Sequence, residues 1–128
     1  MTAHGAFHWN ELMTRDAAKA KDFYGKSLGW TFDDMPMGPD MTYTIIRSNG
    51  EMVGGMMQIG GPAFEGVPDH WMSYIAVDDV DKRIEKLKAG GGRVMREPWV
   101  AEGVGRIAIV ADSNGAAQGW MTPADGVS

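Results

Sequence analysis

The sequence predicts an α+β fold: two β-α-β-β-β modules within one domain spanning residues 1–128, with repeats over about 7–59 and 71–122. Three observations predict it. Ser48-Asn49-Gly50-Glu51-Met52-Val53-Gly54-Gly55-Met56 returns as Ser113-Asn114-Gly115-Ala116-Ala117-Gln118-Gly119-Trp120-Met121, an offset of 65 (113 minus 48). Two amphipathic helical stretches each follow an aspartate suited to capping, Asp16 and Asp79, and these lie 63 apart (79 minus 16). Each helix is followed by a glycine and then by three stretches of strand character.

The elements follow in order. Phe7 to Met13 alternates as a strand. The Asp16 carboxylate can accept the free amides of a first helical turn, so Ala17 to Leu28 reads as a helix, with Ala20, Phe23, Tyr24 and Leu28 as its apolar face. Gly29 suits a left-handed C-terminal cap. Trp30 to Asp33 is a short strand, Pro36 to Asp40 a loop, and Met41 to Ser48 a strand. Asn49-Gly50 is a hairpin signal, since both residues tolerate positive φ, and Glu51 to Ile59 returns as the partner strand. Gly60 to Asp69, with Gly-Gly-Pro and Val-Pro, reads as the connector.

The second half repeats the order. Trp71 to Val77 is a strand, and Val80 to Ala89 a helix with Val80, Ile84 and Leu87 as its buried stripe. Gly90 to Gly92 ends it. Arg93 to Met95 is a short strand, and Glu97-Pro98-Trp99 opens a loop through Gly105. Arg106 to Ala111, a turn at Asn114-Gly115, and Ala116 to Thr122 complete the module.

Composition bounds the function. The chain has 128 residues and a net charge of −5, which argues against nucleic acid and anionic membrane surfaces as partners. It has no cysteine, which excludes disulfides and thiolate-held metals. Met1 to Asp16 lacks the basic and apolar regions of a signal peptide, so a cytoplasmic protein is expected. Eleven methionines suit an adaptable apolar cavity.

Asp16 with Lys21-Asp22-Phe23-Tyr24 and Leu28-Gly29-Trp30, then Val77-Asp78-Asp79-Val80, Gly90-Gly91 and Asp112-Ser113-Asn114-Gly115, form an ordered set of marks. Together they resemble the vicinal oxygen chelate superfamily, which includes glyoxalase I, bleomycin-resistance proteins and extradiol dioxygenases. Trp71-Met72-Ser73-Tyr74 and Gly105-Arg106-Ile107-Ala108 resemble its branch of two-domain antigens described as hydroxylases. The resemblance implies modules pairing into curved sheets around a central cavity, and a homodimer. It also implies four ligand positions in the metal-using members, which fall here on Trp9, Gly54, Met72 and Gly119. Indole only donates, thioether is a poor ligand for hard cations, and glycine has no side chain, so no metal and no other cofactor is expected.

Two readings of these four residues stay open: a core that fills an old site, or an apolar pocket for a flat organic molecule. Strand alternation adds Glu11, Met13 and Tyr74, and the repeat adds Met56 and Met121, to the expected ligand-binding face. Glu11 is the candidate catalytic residue, as a general acid or base, or else a structural partner of an Arg or of Tyr74. His4 reads as part of a frayed terminus. His8 and His70 start the two first strands; they could bind a metal with a carboxylate, but would reach the cavity face only after a one-residue register shift. Arg106 reads as a partner for a surface carboxylate, with an anionic ligand as the alternative. Trp99 and Trp120 read as pocket rim, helix-covered core or dimer contact. The expected function is metal-independent binding of a small organic molecule. The alternative is an enzyme of the same superfamily (lyase, dioxygenase or isomerase) using Glu11 or a non-standard metal site.

Overall fold

A computed structural model describes residues 2–36, 39 and 41–127. Of the expected loop Pro36 to Asp40, Met37, Gly38 and Asp40 lie outside the described residues. The elements are β1 (Phe7–Thr14), α1 (Ala17–Leu28), β2 (Thr31–Pro36), β3 (Thr42–Ser48), β4 (Glu51–Gln58), a 3-10 turn (Pro62–Phe64), β5 (His70–Ala76), α2 (Val80–Ala89), β6 (Arg93–Ala101), β7 (Gly105–Ala111) and β8 (Ala117–Pro123). The order is β-α-β-β-β twice, an α+β fold.

The chain forms two compact units, Trp9–Met72 and Met1–His8 with Ser73–Ser128. In the first, the strand order is β2-β3-β4-β1, with β1 parallel to β4 and the other pairs antiparallel. In the second, the order is β5-β8-β7-β6, with β5 parallel to β8 and the rest antiparallel. The N-terminal arm belongs to the second unit. Gly5 N–H donates to the Ala76 carbonyl (2.7 Å) and Ala76 N–H to that of Ala6 (2.9 Å). Asp78 N–H donates to His4 Nδ1 at 2.9 Å, so the expected fraying of His4 is overturned by main-chain pairing around it.

Both helices begin where their caps dictate. The Asp16 carboxylate accepts from Lys19 N–H, and that of Asp79 from Lys82 N–H. Gly29 ends α1 at φ 73°, a conformation that costs glycine little. The helices differ in how they pack. Val80, Ile84 and Leu87 of α2 are buried against Val77, Ala108 and Val110. Each such side chain contributes up to about 1.5–3 kcal/mol through burial. In α1 no residue is buried. Ala17, Ala20 and Tyr24 rest on Leu12, Ile46 and Met56. Phe23 and Leu28 are 61% and 57% exposed, so the expected stripe is corrected: the packed face of α1 is narrower and centred on alanine.

The two Asn-Gly turns close differently. Asn49 and Gly50 both have positive φ, 52° and 81°, the two-residue hairpin form that matches strand twist. At the second, only Gly115 is positive, and the Asp112 carboxylate accepts from Asn114 and Ala116 N–H. The loop expected from Glu97 through Gly105 is shorter: strand continues to Ala101, and only residues 102–104 form a turn. Register shifts between Val94 and Arg96, and between Arg96 and Trp99, absorb Pro98 on the last strand of the order, where a missing N–H is tolerated.

Ile84→Ala should cost about 2–4 kcal/mol by opening a cavity under α2. Leu28→Ala should stay within about 0.5 kcal/mol. Urea denaturation of the two variants measures the contrast.

Candidate functional site

The site is built on β1. Trp9, Glu11 and Met13 alternate onto one face of that strand. Parallel pairing sets Glu11 against Gly55 and Met13 against Met57, so Gly55 and Met57 share this face. Leu12 pairs with Met56 on the opposite face, where both pack with Ile46 under α1.

This corrects two expected site residues, Gly54 and Met56. The cause is a bulge: Ile46 pairs with Gly54 but Arg47 with Met52, leaving Val53 without an opposite residue. One extra residue inverts every side chain beyond it. Gly54 serves a different need, since a Cβ there would lie 2.8 Å from the Asn10 carbonyl oxygen. Gly55 is the residue that matters to this face. A Cβ there would lie 1.8 Å from Tyr43 Oη. Tyr43 therefore lies in the hollow that Gly55 leaves.

Tyr43 links the two candidate residues of β1. Trp9 Nε1–H donates to Tyr43 Oη at 2.8 Å, and Tyr43 O–H donates to Glu11 Oε2 at 2.7 Å. Indole nitrogen can only donate, so the Tyr43 oxygen must accept there and its proton must point to Glu11. The direction of the chain is fixed by chemistry. Glu11 is 7% exposed, and a buried carboxylate needs such donors. Tyr43 was not legible as a site residue, because the bulge at Val53 hides which face β3 and β4 share.

The second unit has a related arrangement. Tyr74 pairs with Gly119, and a Cβ at Gly119 would lie 2.2 Å from the Tyr74 ring. Tyr74, Met121 and, on β5, Met72 are buried. The structural counterpart of Gly119 is thus Gly55, not Gly54. Gly55 and Gly119 bring no side-chain donor, and Trp9 and Met72 on the neighbouring strands bring only indole and thioether; Glu11, opposite Gly55, is a carboxylate on this face. Among the described residues no group of three or more His, Asp or Glu could hold a metal ion.

The remaining candidates have other roles. His8 Nδ1 is 3.0 Å from Thr2 Oγ1, and His70 Nδ1–H donates to the Pro68 carbonyl at 2.9 Å. Arg106 pairs with Asp81 through two bonds of 2.8 and 3.1 Å, which holds the Asp81 carboxyl below its usual range. The surface-carboxylate reading of Arg106 holds. Trp120 packs on the α2 cluster, and Arg96 covers the Trp99 ring at 3.6 Å.

Asp69 fastens the connector. Its carboxylate accepts from Thr14 O–H (2.6 Å) and Arg15 N–H (3.0 Å), which hold its carboxyl below the usual range, the hydroxyl most strongly. Arg15 Nε–H donates to the Val67 carbonyl (2.9 Å) and Nη2–H to that of Phe64.

A family model described as Glyoxalase/Bleomycin resistance protein/Dioxygenase superfamily matches residues 6–117. The chain belongs to that superfamily. It is 40% identical over 119 residues to a Mycobacterium tuberculosis protein named "Putative glyoxylase CFP32", a match covering 91% of the chain and 46% of that protein. It is 33% identical over 126 residues to the anthracycline biosynthesis protein DnrV of Streptomyces peucetius, covering 90% of the chain and 46% of the relative. The chain thus spans about half the length of the curated relatives it matches. Methylmalonyl-CoA epimerase from Mycobacterium tuberculosis shares the fold, with a TM-score of 0.68 at 16% identity over 97% of this chain and 92% of that one. Among the described residues no helix is long and apolar enough to cross a membrane.

Gly55→Ala should expel Tyr43 from its hollow and destabilise the protein by about 1–3 kcal/mol. Tyr43→Phe removes both bonds of the chain at once and should cost about as much. Denaturation curves of the two variants check this. A lowered folded-state pKa means that Asp69 stabilises the protein above the ordinary carboxyl value near 4, and that this is lost as pH falls through the lower folded value. Thr14→Val should flatten the fall in the urea midpoint as pH drops below the ordinary carboxyl value near 4.

Proposed function

We propose that this chain binds a small, flat organic molecule, without a divalent metal, on the face that carries Trp9, Glu11 and Tyr43. One observation carries the reading: the hydrogen-bonded chain from indole through phenol to a buried carboxylate, seated over Gly55. An aromatic surface with a few fixed polar groups is the usual makeup of a small-molecule site. Donor chemistry supports the metal-free part, because indole, thioether and glycine stand where ligands would be needed. The relative named for anthracycline biosynthesis supports flat polycyclic compounds as the ligand class to test first.

A second reading is favoured by the same chain. The Tyr43 proton fixes the orientation of the Glu11 carboxylate, as a base needs to be fixed for proton abstraction from a bound molecule. The relative named as a glyoxylase supports an enzyme of this superfamily. Glu11→Gln separates the readings: a binder keeps its affinity, and an enzyme loses turnover.

Daunorubicin, as an anthracycline probe, should bind the chelator-treated protein saturably in a fluorescence-polarisation titration. Trp9→Ala should weaken it by at least about tenfold, within the range for losing an aromatic anchor. No saturable binding, or binding that returns only with an added divalent ion, would overturn the metal-free reading.

A further inference from the structure

We propose a second ligand site, separate from the Glu11 face: the cleft between α1 and the start of β5 takes a small quaternary ammonium cation. The cleft measures about 380 Å³, at the low end for small-molecule sites, and lies entirely within the first compact unit.

Its walls are aromatic rings set at near right angles. Phe23 meets Tyr24 at 84° with centroids 5.0 Å apart, and Trp71 meets Tyr24 at 76° and 5.9 Å. Trp30 stacks behind Tyr24 at 24° and 5.1 Å, which holds that ring in place. Phe23 and Trp71 are 61% and 43% exposed, so these rings remain open to a ligand. A cation above ring faces is attracted by their quadrupoles, and methylated ammonium groups gain most because little water must be stripped from them.

Charge on the lining favours the same ligand. Asp16 and Asp69 both line the cleft. Their hydrogen bonds come from main-chain amides and a hydroxyl, and among the described residues neither makes an ion pair. Nearby, the Arg15 guanidinium donates to the carbonyls of Val67 and Phe64. Lys19 is the one lysine or arginine in the lining, so within it two carboxylates face one ammonium, while Arg15 and His70 also act on Asp69. His70 also lines the cleft, with its Nδ1–H donating to the Pro68 carbonyl.

The test titrates the full chain with choline chloride, following tryptophan fluorescence, with sodium chloride at equal ionic strength as the blank. 3,3-Dimethyl-1-butanol serves as the uncharged isostere. Choline should bind saturably and the isostere should not. Phe23→Ala, a change at an exposed position, should weaken choline binding by at least about fivefold. Lys19→Gln should tighten it. Equal binding of the isostere, or indifference of both variants, would overturn the proposal. So would sedimentation with phosphatidylcholine vesicles in the absence of choline binding, which would mark a lipid-surface contact. Glu11→Gln should leave choline affinity unchanged, so failure here is distinguishable from failure of the anthracycline reading.

Discussion

The candidate site depends on one hydroxyl. Tyr43 Oη accepts a hydrogen bond from the Trp9 indole and donates one to Glu11. Remove it and a buried carboxylate and an indole N–H each lose a bond, at a combined cost of about 1–3 kcal/mol. That position is available because Gly55 has no side chain, and Gly55 faces it because Val53 bulges out of β4. Backbone irregularity, small residue and polar chain form a single dependency, in which the local strand defect determines the chemistry of the face.

Much of the fold was legible because its signals are local. Aspartate before each helix, glycine after the first, and the 80-84-87 apolar spacing each specify a nearby hydrogen bond or contact. Expectations failed where the deciding partner lies far away in the chain. Periodicity shows that α1 is amphipathic, but not that Ala20 rather than Phe23 would face Leu12 and Ile46. Pro98 is a good loop signal that an irregular register on an end strand overrode.

For the site, residue types were more legible than faces. Trp9, Glu11 and Met13 share a strand without irregularity, so alternation placed them together. Gly54 and Met56 were misplaced by one residue, because a sequence repeat cannot show a bulge present in β4 and absent from β8. Glycine occupies both 54 and 55, so the shift of one residue adds no donor from β4, while it sets Glu11 opposite Gly55. Divergence between the repeats is also visible: Tyr43 reaches Gly55 from the antiparallel neighbour β3, whereas Tyr74 covers Gly119 from the parallel neighbour β5.

The most direct measurement is solvent exchange of the Trp9 indole N–H, followed by proton–nitrogen NMR and assigned by its loss in Trp9→Phe. If the Trp9–Tyr43–Glu11 chain exists, this proton exchanges far more slowly than that of Trp71, which is 43% exposed, and its resonance moves in Glu11→Gln. Exchange as fast as at Trp71, together with indifference to Glu11→Gln, would contradict the account.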